Sequence, residues 1–193
     1  MNNFQQRKKS ILNKLDKSSK KSWDKKIVKL CEKINSLENF YTTSSCSSRI
    51  VLIVDNAKKG PGLFVKVWHD KINFLELKKS LGGISRKNIK FKQEPVILHV
   101  ACESLDDALG FLKKAREVGF KRGGIISGDS KGFVLELIGT EKLEFPIISD
   151  GKILVDDKFL ELIVKKSNEN LKKNWVRIEK LKKILDVLGH KNI

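Results

Sequence analysis

Seven consecutive hydroxyl- or thiol-bearing residues, Thr42-Thr43-Ser44-Ser45-Cys46-Ser47-Ser48, lead from Tyr41 into Arg49 and the apolar run Ile50-Val51-Leu52-Ile53-Val54. A stretch this poor in apolar surface is not expected to form an ordinary core element, whereas the run behind it reads as a buried strand. The short donors and acceptors, next to one fixed positive charge, suit a small polar ligand or a phosphate. A Ser/Thr-rich linker is the plain alternative. Cys46 in the middle and the direct entry into a strand weigh against it.

Periodicity orders the rest of the chain. Phe4, Ile11, Leu12 and Leu15 recur at helical spacing among lysines, and a second helix from about Asp24 carries Ile27, Leu30, Cys31 and Ile34 on one face. Strands follow at about 49–54 and 63–68, joined by the turn Asn56-Ala57-Lys58-Lys59-Gly60-Pro61-Gly62. Asn73 caps a short helix with Phe74, Leu75, Leu77 and Leu81. The segment 82–95 reads as a basic loop with Arg86, Lys87, Lys90 and Lys92, closing on Glu94-Pro95. Val96–Ala101 is nearly all apolar and reads as a buried strand.

Ser104 with Asp107 three residues on forms an acidic capping box for a helix striped with Leu105, Ala108, Leu109, Leu112, Ala115 and Val118. A hairpin over 122–138 turns at Asp129-Ser130-Lys131-Gly132, and strands near 143–148 and 152–155 precede a long helix from Asp157. At about 30 residues that helix would be a rod of roughly 45 Å. The expected class is α+β: a mixed sheet packed with helices, with helix–strand–strand units at 24–68 and 104–138 as a candidate duplication. The chain reads as one domain, with basic helices over 1–38, an α/β body over 39–156 and a basic helix over 157–193.

Charge is distributed unevenly along this plan. The formal charge is +17, but residues 1–33 hold 11 Lys/Arg against 3 Asp/Glu and residues 158–193 hold 10 against 4. The middle, 34–157, holds 19 against 16. The ends would grip a polyanion while the nearly balanced body holds something smaller. A merely well-charged surface is the alternative. No apolar run approaches the roughly 18 residues of a membrane span, so a cytoplasmic, membrane-free protein is expected. Cys31, Cys46 and Cys102 are odd in number and widely spaced, which suits reduced thiols. With His69, His99 and His190 they make no metal pattern.

No dinucleotide fingerprint, phosphate loop or zinc motif is present. The polar candidates sit at expected strand ends: the hydroxyl-rich stretch, then Lys66, Trp68 and His69, then His99 and Cys102. Trp68 could stack on a base or be buried by alternation. His99, inside an apolar run, reads equally as a satisfied core residue.

The sequence resembles the tRNA wybutosine-synthesising protein three family, in its archaeal branch. The signature is Tyr41-Thr42-Thr43-Ser44-Ser45-Cys46-Ser47-x-Arg49-Ile50. With it come Trp68-His69, Glu94-Pro95, Leu98-His99-Val100, Ser104-Leu105-x-x-Ala108, Gly119-Phe120 with Gly124-Ile125, and Leu143-Glu144-x-Pro146. The flanks agree too, in Lys8-x-x-x-Leu12-x-x-Leu15-Asp16 and Asn170-Leu171. Two positions depart: Ser48 stands where the family has glycine, and Gly123 where it has serine, a possible hydroxyl ligand.

The resemblance implies an S-adenosylmethionine-dependent methyltransferase acting on N4 of the wyosine-type base at position 37 of phenylalanine tRNA. Implied cofactor contacts are Ser44, Ser45, Cys46, Ser47 and Arg49, the last toward a carboxylate or phosphate. His69 or His99 would accept the proton released from the methylated nitrogen. Lys66, Trp68, Arg86, Lys87, Lys90 and Arg122 would meet the tRNA, at its anticodon arm. A non-catalytic tRNA- or RNA-binding module and a duplex-DNA-coating protein are the competing readings, and no metal is implied.

Overall fold

The computed structural model describes residues 3–13, 23–55, 60–84 and 88–189, and of residues 187–189 the backbone alone. Its elements are α1 (Asn3–Leu12), α2 (Val28–Ser36), β1 (Phe40–Cys46), β2 (Arg49–Val54), β3 (Phe64–Trp68), α3 (Phe74–Gly82), β4 (Ile89–Glu94), β5 (Ile97–Cys102), α4 (Leu105–Glu117), β6 (Arg122–Asp129), β7 (Gly132–Ile138), β8 (Leu143–Ser149), β9 (Lys152–Ile153) and α5 (Asp157–Gly189). The α+β class and the long C-terminal helix are as expected. The strands form two antiparallel sheets rather than one mixed sheet, ordered β1-β5-β7-β6 and β3-β2-β4-β8-β9.

The chain divides into two compact units, Met1–Ser47 with Val96–Thr140 and Asn174–Ile193, and Ser48–Pro95 with Glu141–Lys173. Each unit contains one sheet. The division also removes the candidate duplication, because α2 belongs to the first unit and packs on β1, whereas β2 and β3 belong to the second.

In the first unit one face of the sheet is apolar. Leu98, Val100, Leu135 and Leu137 are buried there with Ile27, Leu30, Cys31 and Ile34 of the α2 region, with Ala108, Phe111, Leu112 and Ala115 of α4, and with Ile178, Leu181 and Leu185 of α5. Period-2 alternation sends every second strand residue to this face. The opposite face has a smaller cover: Phe4 of α1 lies on Tyr41, ring centroids 5.2 Å apart, and beside Ala101.

The second unit is built around β2 and β4. Ile50, Val51, Leu52, Ile89 and Phe91 are fully buried, and Phe91 stacks on Phe145 at 5.3 Å. Phe145 meets Phe159 of α5 edge-on at 5.5 Å. Helix α3 starts on a complete capping box between Asn73 and Glu76, as its cap residue predicted.

Two expectations fail locally. The segment taken for a basic loop contains β4, whose burial alternates strictly along Ile89–Glu94. Its lysines are accommodated in a strand because each is matched by a carboxylate, Lys90 with Asp55 at 2.7 Å and Lys92 with Glu144 at 2.8 Å. The hydroxyl-rich stretch is itself largely a strand, β1, at the edge of its sheet with one bulge between Thr42 and Ser44. An edge strand pairs on one side only and often carries polar residues, and threonines tolerate extended backbone well.

Candidate active site

Register decides which side chains of the first unit share a surface. Ser44 lies opposite His99, His99 opposite Glu136, and Glu136 opposite Gly124, one row across all four strands. Two residues along, Cys46, Ile97, Ile138 and Arg122 form a parallel row on the same face. At about 4.8 Å per strand, Arg122 stands about 14 Å from Cys46. Ser44, Cys46, His99 and Arg122 are therefore brought to one sheet face, away from the core.

His99 is oriented there by Glu136, whose Oε2 lies 2.9 Å from Nε2 of the imidazole. A carboxylate accepts only, so Nε2 carries the hydrogen and the neutral ring keeps its lone pair on Nδ1. Glu136 was not among the residues expected from the sequence. Its signal, an acidic residue in an otherwise apolar strand, becomes meaningful only once the strand register sets it against His99. Gly124 beside it bears no side chain, and a Cβ there would meet nothing within 4 Å, so the backbone above the pair lies open.

The neighbouring serines face elsewhere. Ser45 lies opposite Leu98 and so on the core side, where its hydroxyl accepts from the Cys31 thiol at 3.6 Å. Burial pushes the Cys31 thiol up to about 11 and the Cys102 thiol up to about 12, so neither is a nucleophile near neutral pH. Ser47 is buried and donates to Asp24 Oδ2 through its backbone N–H at 2.9 Å and its hydroxyl at 3.3 Å. Asp24 thus clamps the end of the hydroxyl-rich stretch, while α2 itself begins only at Val28.

Both family departures have a geometric counterpart. Ser48 has φ 95°, a conformation that favours glycine. Its hydroxyl donates to the Glu94 carbonyl at 2.5 Å and accepts from Gln93 Nε2 at 3.2 Å. Gly123 has φ 109°, and a Cβ on this backbone would stand 2.0 Å from the Glu136 carbonyl oxygen. A serine cannot be seated there without moving the strand. The position also shares the core side with Leu137. A hydroxyl at this position would therefore face the core side rather than the open face of the sheet.

In the second unit, Arg49 donates from Nε to Glu94 Oε2 at 2.5 Å, and its guanidinium lies 5.0 Å from the centre of the Phe64 ring. Lys66 lies 6.0 Å over the Trp68 ring on the edge strand β3. His69 follows that strand directly and is half-buried. Lys90 is bound to Asp55, and that hydrogen bond raises its pKa. It is a strand residue in an ion pair rather than a loop residue awaiting a phosphate. Arg86 and Lys87 lie outside the described residues.

A family model described as Methyltransferase TYW3 matches residues 6–187. The chain belongs to this methyltransferase family. An Archaeoglobus fulgidus protein named tRNA(Phe) 7-((3-amino-3-carboxypropyl)-4-demethylwyosine(37)-N(4))-methyltransferase is 34% identical over 96% of this chain and 94% of its own. A Thermococcus sibiricus protein of the same name is 34% identical over 93% and 92%. A solved structure of a Pyrococcus horikoshii protein superposes with a TM-score of 0.88 at 29% identity, covering 96% of this chain and 95% of its own.

A TYW3 methyltransferase needs a methyl donor, and the open face of the first sheet gathers polar side chains. It sets the Ser44 hydroxyl and the Glu136 carboxylate on the same surface as the Arg122 guanidinium, over bare backbone at Gly124. Among the described residues no helix is long and apolar enough to cross a membrane.

Proposed function

We propose that this chain transfers a methyl group from S-adenosylmethionine to N4 of the wyosine-type base at position 37 of phenylalanine tRNA. The match to the TYW3 family over residues 6–187 carries this reading. When bound, the donor supplies an electrophilic methyl group on a sulfonium.

The protein's part is to bind, align and remove a proton. Ser44 and Cys46 face the donor and Ser45 and Ser47 hold their strand in place. Methyl transfer is an in-line displacement that needs no nucleophilic side chain, so alignment alone can supply about 7–11 kcal/mol. His99, turned by Glu136 so that Nδ1 presents its lone pair, takes the proton that leaves N4. Arg49 and Trp68 serve the tRNA side, with Lys66 and His69 beside them. Arg49 does so with its Nε held by Glu94. The chain acts as a single domain in the cytoplasm. Each unit is discontinuous in sequence, so neither can be excised with one cut.

Calorimetric titration of S-adenosylmethionine, with and without tRNA, tests the cofactor. Binding in the micromolar range supports the reading. No heat under either condition counts strongly against the methyltransferase and favours a non-catalytic nucleic-acid-binding protein.

A further inference from the structure

We infer that the outward face of α5 over residues 158–173 is a track for the RNA phosphate backbone. The inference rests on the tRNA reading above and adds the surface that grips the substrate. Lys158, Lys165 and Lys172 recur every seven residues, as do Lys166 and Lys173, and all five are exposed. A seven-residue step returns to nearly the same side of an α-helix, and 15 steps of 1.5 Å stretch the row over about 22 Å.

The inward side of the same segment is already used. Leu160, Ile163, Val164, Ser167 and Leu171 are buried. The lysines therefore have no packing role to explain them. Among the described residues Lys158, Lys165, Lys172 and Lys173 form no ion pair, and Lys166 reaches only Glu169, at 3.3 Å. Lys90 and Lys92, two of the four basic residues that the sequence singled out in 82–95, are by contrast neutralised by Asp55 and Glu144. A row of exposed ammonium groups, four of the five without an ion pair among the described residues, suits an extended polyanion whose condensed counterions they displace. A membrane surface suits it less. A helix lying on lipid inserts a continuous apolar face, and here Leu160, Ile163, Val164 and Leu171 are in the core, leaving only Phe159 and Leu162 of the segment's large apolar side chains exposed.

The test replaces Lys158, Lys165 and Lys172 together by Gln in the full chain and measures phenylalanine tRNA affinity from low to moderate salt. Lys113→Gln, Lys131→Gln and Lys152→Gln combined give an equal charge change on other exposed positions. The track predicts that the slope of log affinity against log salt falls by about 2 for the first set, roughly 0.7–0.9 per lost contact. It falls far less for the control set. KM for tRNA rises at least tenfold at moderate salt, while kcat at saturating tRNA is kept. An unchanged slope, or the same loss in the control set, overturns the track. So does tighter, lysine-dependent binding to phosphatidylserine vesicles than to tRNA. A wild-type chain that binds tRNA through these lysines but methylates nothing refutes the reaction and keeps the track. A triple variant that methylates with an unchanged KM for tRNA does the reverse.

Discussion

Ser48 condenses the chain's individuality into one residue. It holds a backbone conformation that costs a non-glycine residue about 1–3 kcal/mol, and it offsets part of that cost with a short bond to the Glu94 carbonyl. Glycine would relieve the strain, and Gln93 Nε2 would still have the Glu94 and Glu141 carbonyls at 2.9 and 3.3 Å. Ser48→Gly is expected to raise stability in urea denaturation by about 0.5–1 kcal/mol. Ser48→Ala, which keeps the strain and loses the bond, is expected to lower it by about 1–2 kcal/mol. His99→Ala and Glu136→Gln separate two roles. The first should cut kcat by about 10²–10³, as loss of a general base does. The second should cut it less and move the pH profile, since it changes how the ring is held.

The buried thiols give a third prediction at this scale. In the fold Cys31 and Cys102 ionise near 11 and 12, against 9.0 for the unperturbed thiol. Below pH 9 both states keep these protons and the contribution to stability is whole. As pH climbs from 9 toward 11 the unfolded chain releases protons that the fold retains, so stability falls over that window. Denaturation midpoints in the Cys31→Val, Cys102→Val double variant should show a shallower fall. Of these residues, the sequence pointed to Ser48 through its departure from the family glycine. Glu136 stayed hidden because a charged residue in a strand looks solvated until a partner strand is in register with it.

Among the elements, those with terminal signals were readable. Ser104 and Asp107 make the reciprocal bonds of a capping box at the start of α4, at 3.1 Å each. Ser104→Ala is expected to cost about 1 kcal/mol, seen as a lower thermal midpoint with unchanged methyl transfer. The hairpin β6–β7 was equally legible from its turn residues, and α5 from Asp157 by its apolar periodicity. Strand β4 was not, because Lys90, Lys92 and Glu94 alternate with Ile89, Phe91 and a buried Gln93, and the eye follows the charge. Gln93 is tolerated inside because Asn170 Nδ2 donates to its Oε1 at 2.8 Å while Nε2 finds carbonyls. Strand β1 was missed for the opposite reason. Its hydroxyls suggested a loop, although Asn35 Oδ1 receives both the N–H and the hydroxyl of Thr42 and ties the strand to α2.

For the whole molecule, the sequence carried the fold class and the concentration of charge at its ends, but not the partition into two sheets. That partition depends on the chain passing from one unit to the other at 47/48, 95/96, 140/141 and 173/174. Such long-range pairing leaves no local mark. The first passage falls inside the hydroxyl-rich stretch. Thr42 to Cys46 lie in one unit's edge strand, and Ser48 opens the other unit one residue before β2.

The most direct test gives the purified chain labelled S-adenosylmethionine and phenylalanine tRNA bearing the N4-demethylated tricyclic base at position 37, followed by nucleoside analysis. The expected result is one methyl group on N4 of that base, with no transfer to tRNA that carries plain guanosine there. Absence of transfer to the tricyclic base, or equal transfer to guanosine 37, would contradict the account.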